Sequence, residues 1–432
     1  MRHALFVVVF TVSFPLLAFE RQANADYHAR REHLAGKLDS STAALLFANS
    51  EAEGQNATGG FRQNDDFYYL TGWNEPGAAV LIAPANDKHG YTEILLLPAH
   101  NVSQERWTGP KLGAESAEAT RVTGFDRVDV LDKLREDLVA TLPSPRAEVF
   151  TDGSSMPIEW LKRANAFPNY TTFKDVKPLV AELRLIKDAG ELALIRKASD
   201  ATVEAHKAAM RATKPGMTEN ELSAIMQYEF QRRGCELPAY SPIVGSGLNS
   251  TVLHYSENAG TMQSGDLVVL DVGGEYSRYA TDVTRTLPVS GRFTPRQREI
   301  YDIVLRAQQA AVDAFKAGTS TIGRMAPNSL YKIAYDYINT HGHDLHDQPL
   351  GQYFIHGLSH YVGLAVHDAG DNTTPLQPGA VFTIEPGIYI PEEKLGVRIE
   401  DTYAVGADGK LQCLSCGVVK VAADVEKAMA RQ

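Results

Sequence analysis

Two stretches in the C-terminal half of this chain repeat a single frame. GDLVVLDVGGEYSRYATDVT carries Gly265, Asp271 and Gly273, and GAVFTIEPGIYIPEEKLGVRIEDT carries Gly379, Glu385 and Gly387 at the same spacing. Each then places a second acid two residues before a threonine, Asp282 before Thr284 and Glu400 before Thr402, with four extra residues in the later loop. The simplest reading is a duplicated half-site. A lone Asp or Glu is ordinarily a solvated surface residue, a poor account of Asp271 among Val and Leu or of Glu385 between Thr-Ile and Pro-Gly. LVVLDV and the run from Arg278 to Leu287 predict a hairpin symmetrical about Tyr276 and Ser277, with Asp271 directly opposite Asp282 on one face. Two acids side by side repel unless a cation lies between them.

Helical signals flank each acidic segment. Asp188 with Glu191, Thr218 with Glu221 and Thr294-Pro295 with Gln297 read as capping boxes, opening helices that end near Pro215, Gly234 and Gly318. A fourth helix is predicted over 327–340, so the order helix, helix, acidic hairpin occurs twice. Upstream, from 26 to about 177, short apolar runs such as AVLIAP and EILLLPA alternate with helical stretches such as VDVLDKLREDLVATL, which predicts an α/β domain. With 432 residues, 44% of them hydrophobic, two globular domains are expected, divided at 178/179.

At the N-terminus, Arg2 and His3 precede an apolar run from Ala4 to Phe19, and Ala23-Asn24-Ala25 gives a small-x-small pattern before Asp26. Residues 1–25 are therefore expected to be a cleaved export signal, leaving an exported, periplasmic or secreted protein with no stable membrane insertion. A net charge of −11 without a basic face argues against a nucleic-acid partner. Cys413-Leu-Ser-Cys416 could bridge, bind metal or merely pack; with no second pair of this kind nearby, zinc is disfavoured.

Asp271, Asp282, Glu385 and Glu400 with one imidazole form a hard, oxygen-rich set suited to Mn²⁺, with Co²⁺ or Zn²⁺ as alternatives. Two divalent ions would neutralise the four acids, polarise a carbonyl and supply a bridging hydroxide. Histidines cluster in HGLSHYVGLAVHD (His356, His360, His367) and in LHYSEN (His254), where Gly357 and Gly363 suggest irregular backbone close to a ligand.

LDVGGEYSRYATDVTRT, HGLSHYVGLAVHD, TIEPGIYI, GVRIED, PAYSPIVGSGLNSTVLHYSEN and FRQNDDFYYLTGWNEPGAA together resemble the Xaa-Pro aminopeptidase branch of the pita-bread metallopeptidases. The resemblance spans nearly the whole chain after residue 25. It implies an α/β N-terminal domain followed by an α+β pita-bread catalytic domain with an internal pseudo-two-fold repeat. It further implies two divalent metals held by Asp271, Asp282, His360, Glu385 and Glu400, with Glu385 also carrying the proton of the attacking water. His254 and His367 would contact the scissile peptide, His356 would line the proline side, and Tyr389 and Arg398 would support the ligands. The implied substrates are peptides with proline second, and the implied assembly is a homodimer or homotetramer. Departures are modest: Arg278 stands where many relatives have Gly, and the loop between Tyr389 and Arg398 is short. Trp107 resembles a tryptophan that reaches a neighbouring subunit's active site in some members, with ordinary packing as the alternative. Phe61, Arg62, Asp66 and Tyr68 to Gly72 are read as fold residues.

The nearest rival is a prolidase, an Xaa-Pro dipeptidase on the same fold, which would need a cation for the dipeptide's carboxylate. A catalytically dead binding protein would be expected to have lost a ligand, or His254 or His367, and none is missing.

Overall fold

The computed structural model describes residues 19–430 apart from 56–59, 88, 144 and 154. Its N-terminal half is a six-stranded mixed sheet. In spatial order the strands are Arg127–Val130, Thr92–Leu97, Ala79–Ala83, Thr42–Phe47, Arg146–Thr151 and Tyr170–Asp175. Thr42–Phe47 and Ala79–Ala83 are buried on both faces, which is why they read as unbroken apolar runs instead of alternating ones. The stretch expected to be helical from Val128 splits here. Arg127–Val130 joins the sheet edge and the helix begins only at Leu134, because Val-Asp-Val pairs in parallel with Leu95 to Leu97.

Each acidic hairpin is backed by its own helix pair. Ala189–Ala212 and Glu219–Gln231, both opened by the expected capping boxes, bury Ala205, Ala209, Leu222, Met226 and Phe230 against Val268, Leu270 and Val272 of the first hairpin. Pro295–Ala314, also with its box, and Leu330–Thr340 bury Ile300, Val304, Leu330 and Ile338 against Phe382, Ile384 and Ile388 of the second. The repeat seen in the sequence is thus a repeat of packing units.

The boundary at 178/179 falls inside a helix, Lys177–Arg184, and one apolar core crosses it, joining Phe67, Leu70 and Val180 to Tyr279, Val362 and Leu364. Ion pairs stitch the same seam. Arg184 bonds Asp66 (2.6 Å) and Arg62 bonds Glu275 across it, while Asp368, on the C-terminal side, fixes Arg184 and Lys187 (2.8 Å). Asp66 and Arg62 hold the seam, in keeping with their reading as fold residues.

The expected end of the leader, after Ala25, lies in ordered structure. Residues 1–18 lie outside the described residues, but Ala23 caps the helix Asn24–Ala35, so a cut after Ala25 would fall in its first turn. Arg21 donates to the carbonyls of Thr71, Gly72 and Thr123, and Gln22 donates to Asp188. Arg21 and Gln22 thus join this segment to the N-terminal domain and to Asp188. Cys413 and Cys416 form a disulfide, and Cys235 is buried and free. No helix among the described residues is long and apolar enough to cross a membrane.

Candidate metal centre

The first hairpin pairs Leu267–Asp271 with Thr284–Pro288, and its tip pairs Gly274–Tyr276 with Tyr279–Ala280. The register runs Asp271 to Thr284 and Tyr276 to Tyr279, so the turn is Ser277-Arg278 and not Tyr276-Ser277. Both turn residues have positive φ, 47° and 74°, as a two-residue hairpin loop of this hand requires. Arg278 takes this conformation without being glycine while its guanidinium bonds Asp65 and the Gln63 carbonyl across the seam. Asp271 and Asp282 are consequently offset by two residues and not directly opposite. A shift of two preserves the face, and Asp271 and Asp282 both accept from the Tyr240 hydroxyl.

In the second hairpin, Val381–Ile384 pairs with Asp401–Val405, and Gly387–Ile390 with Leu395–Arg398, in one continuous register, Ile384 to Asp401 and Gly387 to Arg398. That register sets Glu385 across from Glu400, the relation expected of the aspartates. At the acids the ladder opens: the Glu385 N–H donates to the Leu358 carbonyl (2.9 Å) and the Glu400 N–H to the Thr284 carbonyl of the first hairpin (3.1 Å). The repeated threonines complete the exchange. Thr284 Oγ1 donates to Glu400 Oε2 (2.6 Å), and Thr402 Oγ1 donates to the Asp282 carbonyl (2.7 Å).

His360 arrives on the loop 354–363. Its Nδ1 donates to the Tyr361 carbonyl at 3.1 Å, which turns Nε2 to the acids, 3.3 Å from Asp282 and 3.4 Å from Glu385; these carboxylates raise the ring to about 9 against burial, and a bound cation would take the place of the Nε2 proton. Donor atoms of Asp282, His360 and Glu400 lie within 4.8 Å of one another. Arg398 spans both hairpins, donating to Asp271 Oδ2 (2.6 Å), Thr284 (3.2 Å) and the Tyr389 hydroxyl (2.8 Å).

The charges do not balance within the protein. Burial and repulsion from neighbouring acids push Glu400 well up and raise Asp282, and burial carries Glu385 to about 7 despite His360. Asp271 alone falls, against the cost of burial, because Arg398 and Tyr240 hold its anion. One guanidinium faces four buried carboxylates, and Glu400 Oε1 is buried without a partner. This donor set fits divalent cations, since an uncompensated buried carboxylate is costly.

A cavity of about 260 Å³ collects every residue expected at the site except Tyr389: the five ligands, His254, His356, His367 and Arg398. Tyr389 stands behind it, bonded to both His356 (2.8 Å) and Arg398. His356 has both ring nitrogens engaged, Nδ1 with the Gly357 carbonyl at 2.7 Å, and burial drives its pKa to about 3. It is a neutral wall. His254 and His367 are exposed, and no hydrogen bond among the described residues occupies their ring nitrogens. Tyr240, in PAYSP, has no role legible in the sequence, because nothing in an isolated tyrosine announces a bond to two distant aspartates.

The catalytic half, residues 193–407, matches the model of metallopeptidase family M24, and residues 27–150 match the N-terminal domain of aminopeptidase P. The chain is 35% identical to the Xaa-Pro aminopeptidase of Escherichia coli, over 94% of this chain and 97% of that one. The chain belongs to family M24. Human Xaa-Pro aminopeptidase 3 is 32% identical over 85% of this chain and 76% of its own. Among solved structures, proline aminopeptidase P II of Yersinia pestis superposes with a TM-score of 0.82 at 33% identity, covering 94% of this chain and 99% of that one. Zinc-substituted E. coli aminopeptidase P in complex with product superposes at 0.83 with 32% identity, covering 96% and 100%. This M24 chain therefore has the expected architecture, an N-terminal aminopeptidase P domain followed by the pita-bread catalytic domain.

Proposed function

We propose that this M24 chain is an Xaa-Pro aminopeptidase, hydrolysing the bond between an N-terminal residue and a following proline. The observation that carries the reading is the convergence of the five ligands with His254, His356 and His367 on one cavity. Arg398 is the only arginine or lysine lining it among the described residues, and its bonds are spent on Asp271, Thr284, Tyr389 and the Leu253 carbonyl, so no described guanidinium or ammonium inside is free to grip a dipeptide's carboxylate. This favours the aminopeptidase over the prolidase.

Asp271, Asp282, His360, Glu385 and Glu400 would hold two divalent ions, Mn²⁺ by the preponderance of oxygen donors, with Co²⁺ or Zn²⁺ as substitutes. When bound, these ions would activate water and polarise the carbonyl. The protein supplies the rest. Glu385, unpaired by any arginine, is the group placed to take the water's proton and return it to the prolyl nitrogen. Nitrogens of His254 and His367 are free to donate to the oxygen that gains charge. The His356 ring gives the proline an uncharged wall, which suits a tertiary amide that offers no N–H to recognise. Mass spectrometry of digests of an Xaa-Pro-Xaa tripeptide and an Xaa-Pro dipeptide, run side by side, tests this. Release of Xaa from the tripeptide is expected; cleavage of the dipeptide alone would make the enzyme a prolidase.

Export and self-association belong to the same reading. The contacts of Arg21 and Gln22 support a leader ending before Phe19, so N-terminal sequencing of the exported protein should begin there; a start at Asp26 would refute it. Trp107 is 90% exposed on a helix, Val102–Thr108, that buries none of its residues, which supports contact with another subunit in a homo-oligomer. Sedimentation of the Trp107→Ala variant as the same oligomer as wild type would remove that support.

A further inference from the structure

Leu253 and His254 reach the metal cavity on the segment 247–260, which leaves the strand Ile243–Ser246 through the short 3₁₀-helix Gly247–Thr251. No hydrogen bond among the described residues fixes the His254 ring, so its aim follows the backbone that carries it. That backbone is gathered on one side chain. Glu219, the first residue of the helix Glu219–Gln231, is fully buried, and its Oε1 accepts from the Ser246 N–H (2.7 Å), the Ser246 hydroxyl (2.8 Å) and the Asn249 side-chain amide (3.1 Å). Its Oε2 accepts from the Tyr255 hydroxyl (2.9 Å) and the Gly260 N–H (2.7 Å). The Glu219 N–H returns a bond to the Gly260 carbonyl (2.9 Å), and a Cβ added to Gly260 would stand 2.8 Å from Oε2, so the segment closes directly onto the carboxylate.

A buried carboxylate is costly unless it is paired or hydrogen-bonded, and among the described residues no lysine or arginine answers Glu219. Its helix is capped without it, by Thr218 and Glu221. What offsets its burial is the set of donors from the segment that bears His254, and bonds to an ionised acceptor are the strong ones. Both ends of that segment, Ser246 and Gly260, and the residue after His254, Tyr255, are held at a single anion. We infer that Glu219 is a positioning residue for the peptidase reaction, aiming the His254 imidazole at the carbonyl oxygen of the bond to be cut. The inference rests on the Xaa-Pro aminopeptidase reading, in which His254 donates to that oxygen. A misplacement of about 1 Å in such a group costs on the order of 100-fold in rate, which is reason enough for a buried anion outside the cavity.

The test is a double-mutant cycle of Glu219→Gln and His254→Ala, read as kcat and KM on an Xaa-Pro-Xaa tripeptide, with hydrogen exchange of the amides of 246–260 measured alongside. Glu219→Gln should lower kcat about 10- to 100-fold with little change in KM, and should cost less than about two-fold once His254 is already alanine. Tyr255→Phe removes a single donor and leaves the carboxylate in place; it should lower kcat about three- to ten-fold and lose that effect in the same background. A residue that only stabilises the fold would lower both backgrounds by the same factor. Such additivity would overturn the inference, as would unchanged exchange of the segment in Glu219→Gln. A wild type that cleaves no Xaa-Pro peptide would overturn the proposed function instead, and the exchange rates would still decide whether Glu219 fixes the segment that carries His254.

Discussion

The two acidic hairpins share one sequence frame, yet they hold their acids differently. Asp271 and Asp282 are offset by two residues and answered by polar groups, Tyr240 for both and Arg398 for Asp271. Glu385 and Glu400 face each other in register, and their carboxylates find only hydroxyls, Thr383 at 3.3 Å and Thr284 at 2.6 Å, with His360 and His356 nearby. Only Asp271 is neutralised by the protein, and Asp282, like the two glutamates, depends on what it binds. The difference teaches that a duplicated frame can share its ligands while dividing the labour, the aspartate side positioning and the glutamate side reacting.

If so, the largest loss should come from the glutamate side. Glu385→Ala removes a ligand and the proton carrier together, and kcat/KM should fall at least about 10³-fold; near-normal turnover would break the division. Arg398→Leu, which frees Asp271 and Tyr389, should cost about 10- to 100-fold through weaker metal affinity, the usual penalty for an outer support. A metal titration should show the loss as a raised dissociation constant.

Acid should separate the hairpins. Asp401, of the glutamate hairpin, is held at about 2 against the cost of burial by Arg285 of the aspartate hairpin and by Lys420. Its folded pKa lies below the ordinary value near 3.9, so its stabilisation is complete above about pH 4 and is lost as the pH falls towards 2. The contribution is about 2 kcal/mol. The melting temperature of wild type should fall more steeply over that interval than that of Asp401→Asn; equal slopes would show that this pair does not join the halves.

Smaller effects sharpen the contrast. Tyr240→Phe removes the one donor shared by both aspartates and should reduce kcat/KM by about ten-fold, with no such partner to remove on the glutamate side. Thr284→Val and Thr402→Val should each cost roughly 1 to 2 kcal/mol of stability for the lost buried hydroxyl. Only Thr284→Val should also lower kcat, because only Thr284 touches a ligand's carboxylate. Equal kinetic effects would restore the symmetry.

Much of this was legible before the fold was known. The ligands declared themselves because carboxylates inside apolar, glycine-bounded strands have no ordinary explanation, and the capping boxes at Asp188, Thr218 and Thr294 fixed three helix starts by local chemistry. The aspartate register was misplaced by two residues because the turn was sought at Tyr276-Ser277, whereas the chain spends a non-glycine, Arg278, at positive φ and holds it with long-range bonds. Tyr240 escaped for a related reason, and the Cys413–Cys416 bridge is one of several alternatives open to the sequence. Each depends on contacts between segments far apart in the chain or on geometry that spacing alone leaves open.

The central claim is that the two hairpins jointly bind a pair of divalent cations, and elemental analysis after loading with Mn²⁺ and exhaustive dialysis tests it most directly. The account predicts two ions per chain in the wild type and fewer in both Asp282→Asn and Glu400→Gln, one ligand removed from each hairpin. A wild-type protein that retained no Mn²⁺, Co²⁺ or Zn²⁺ would contradict it.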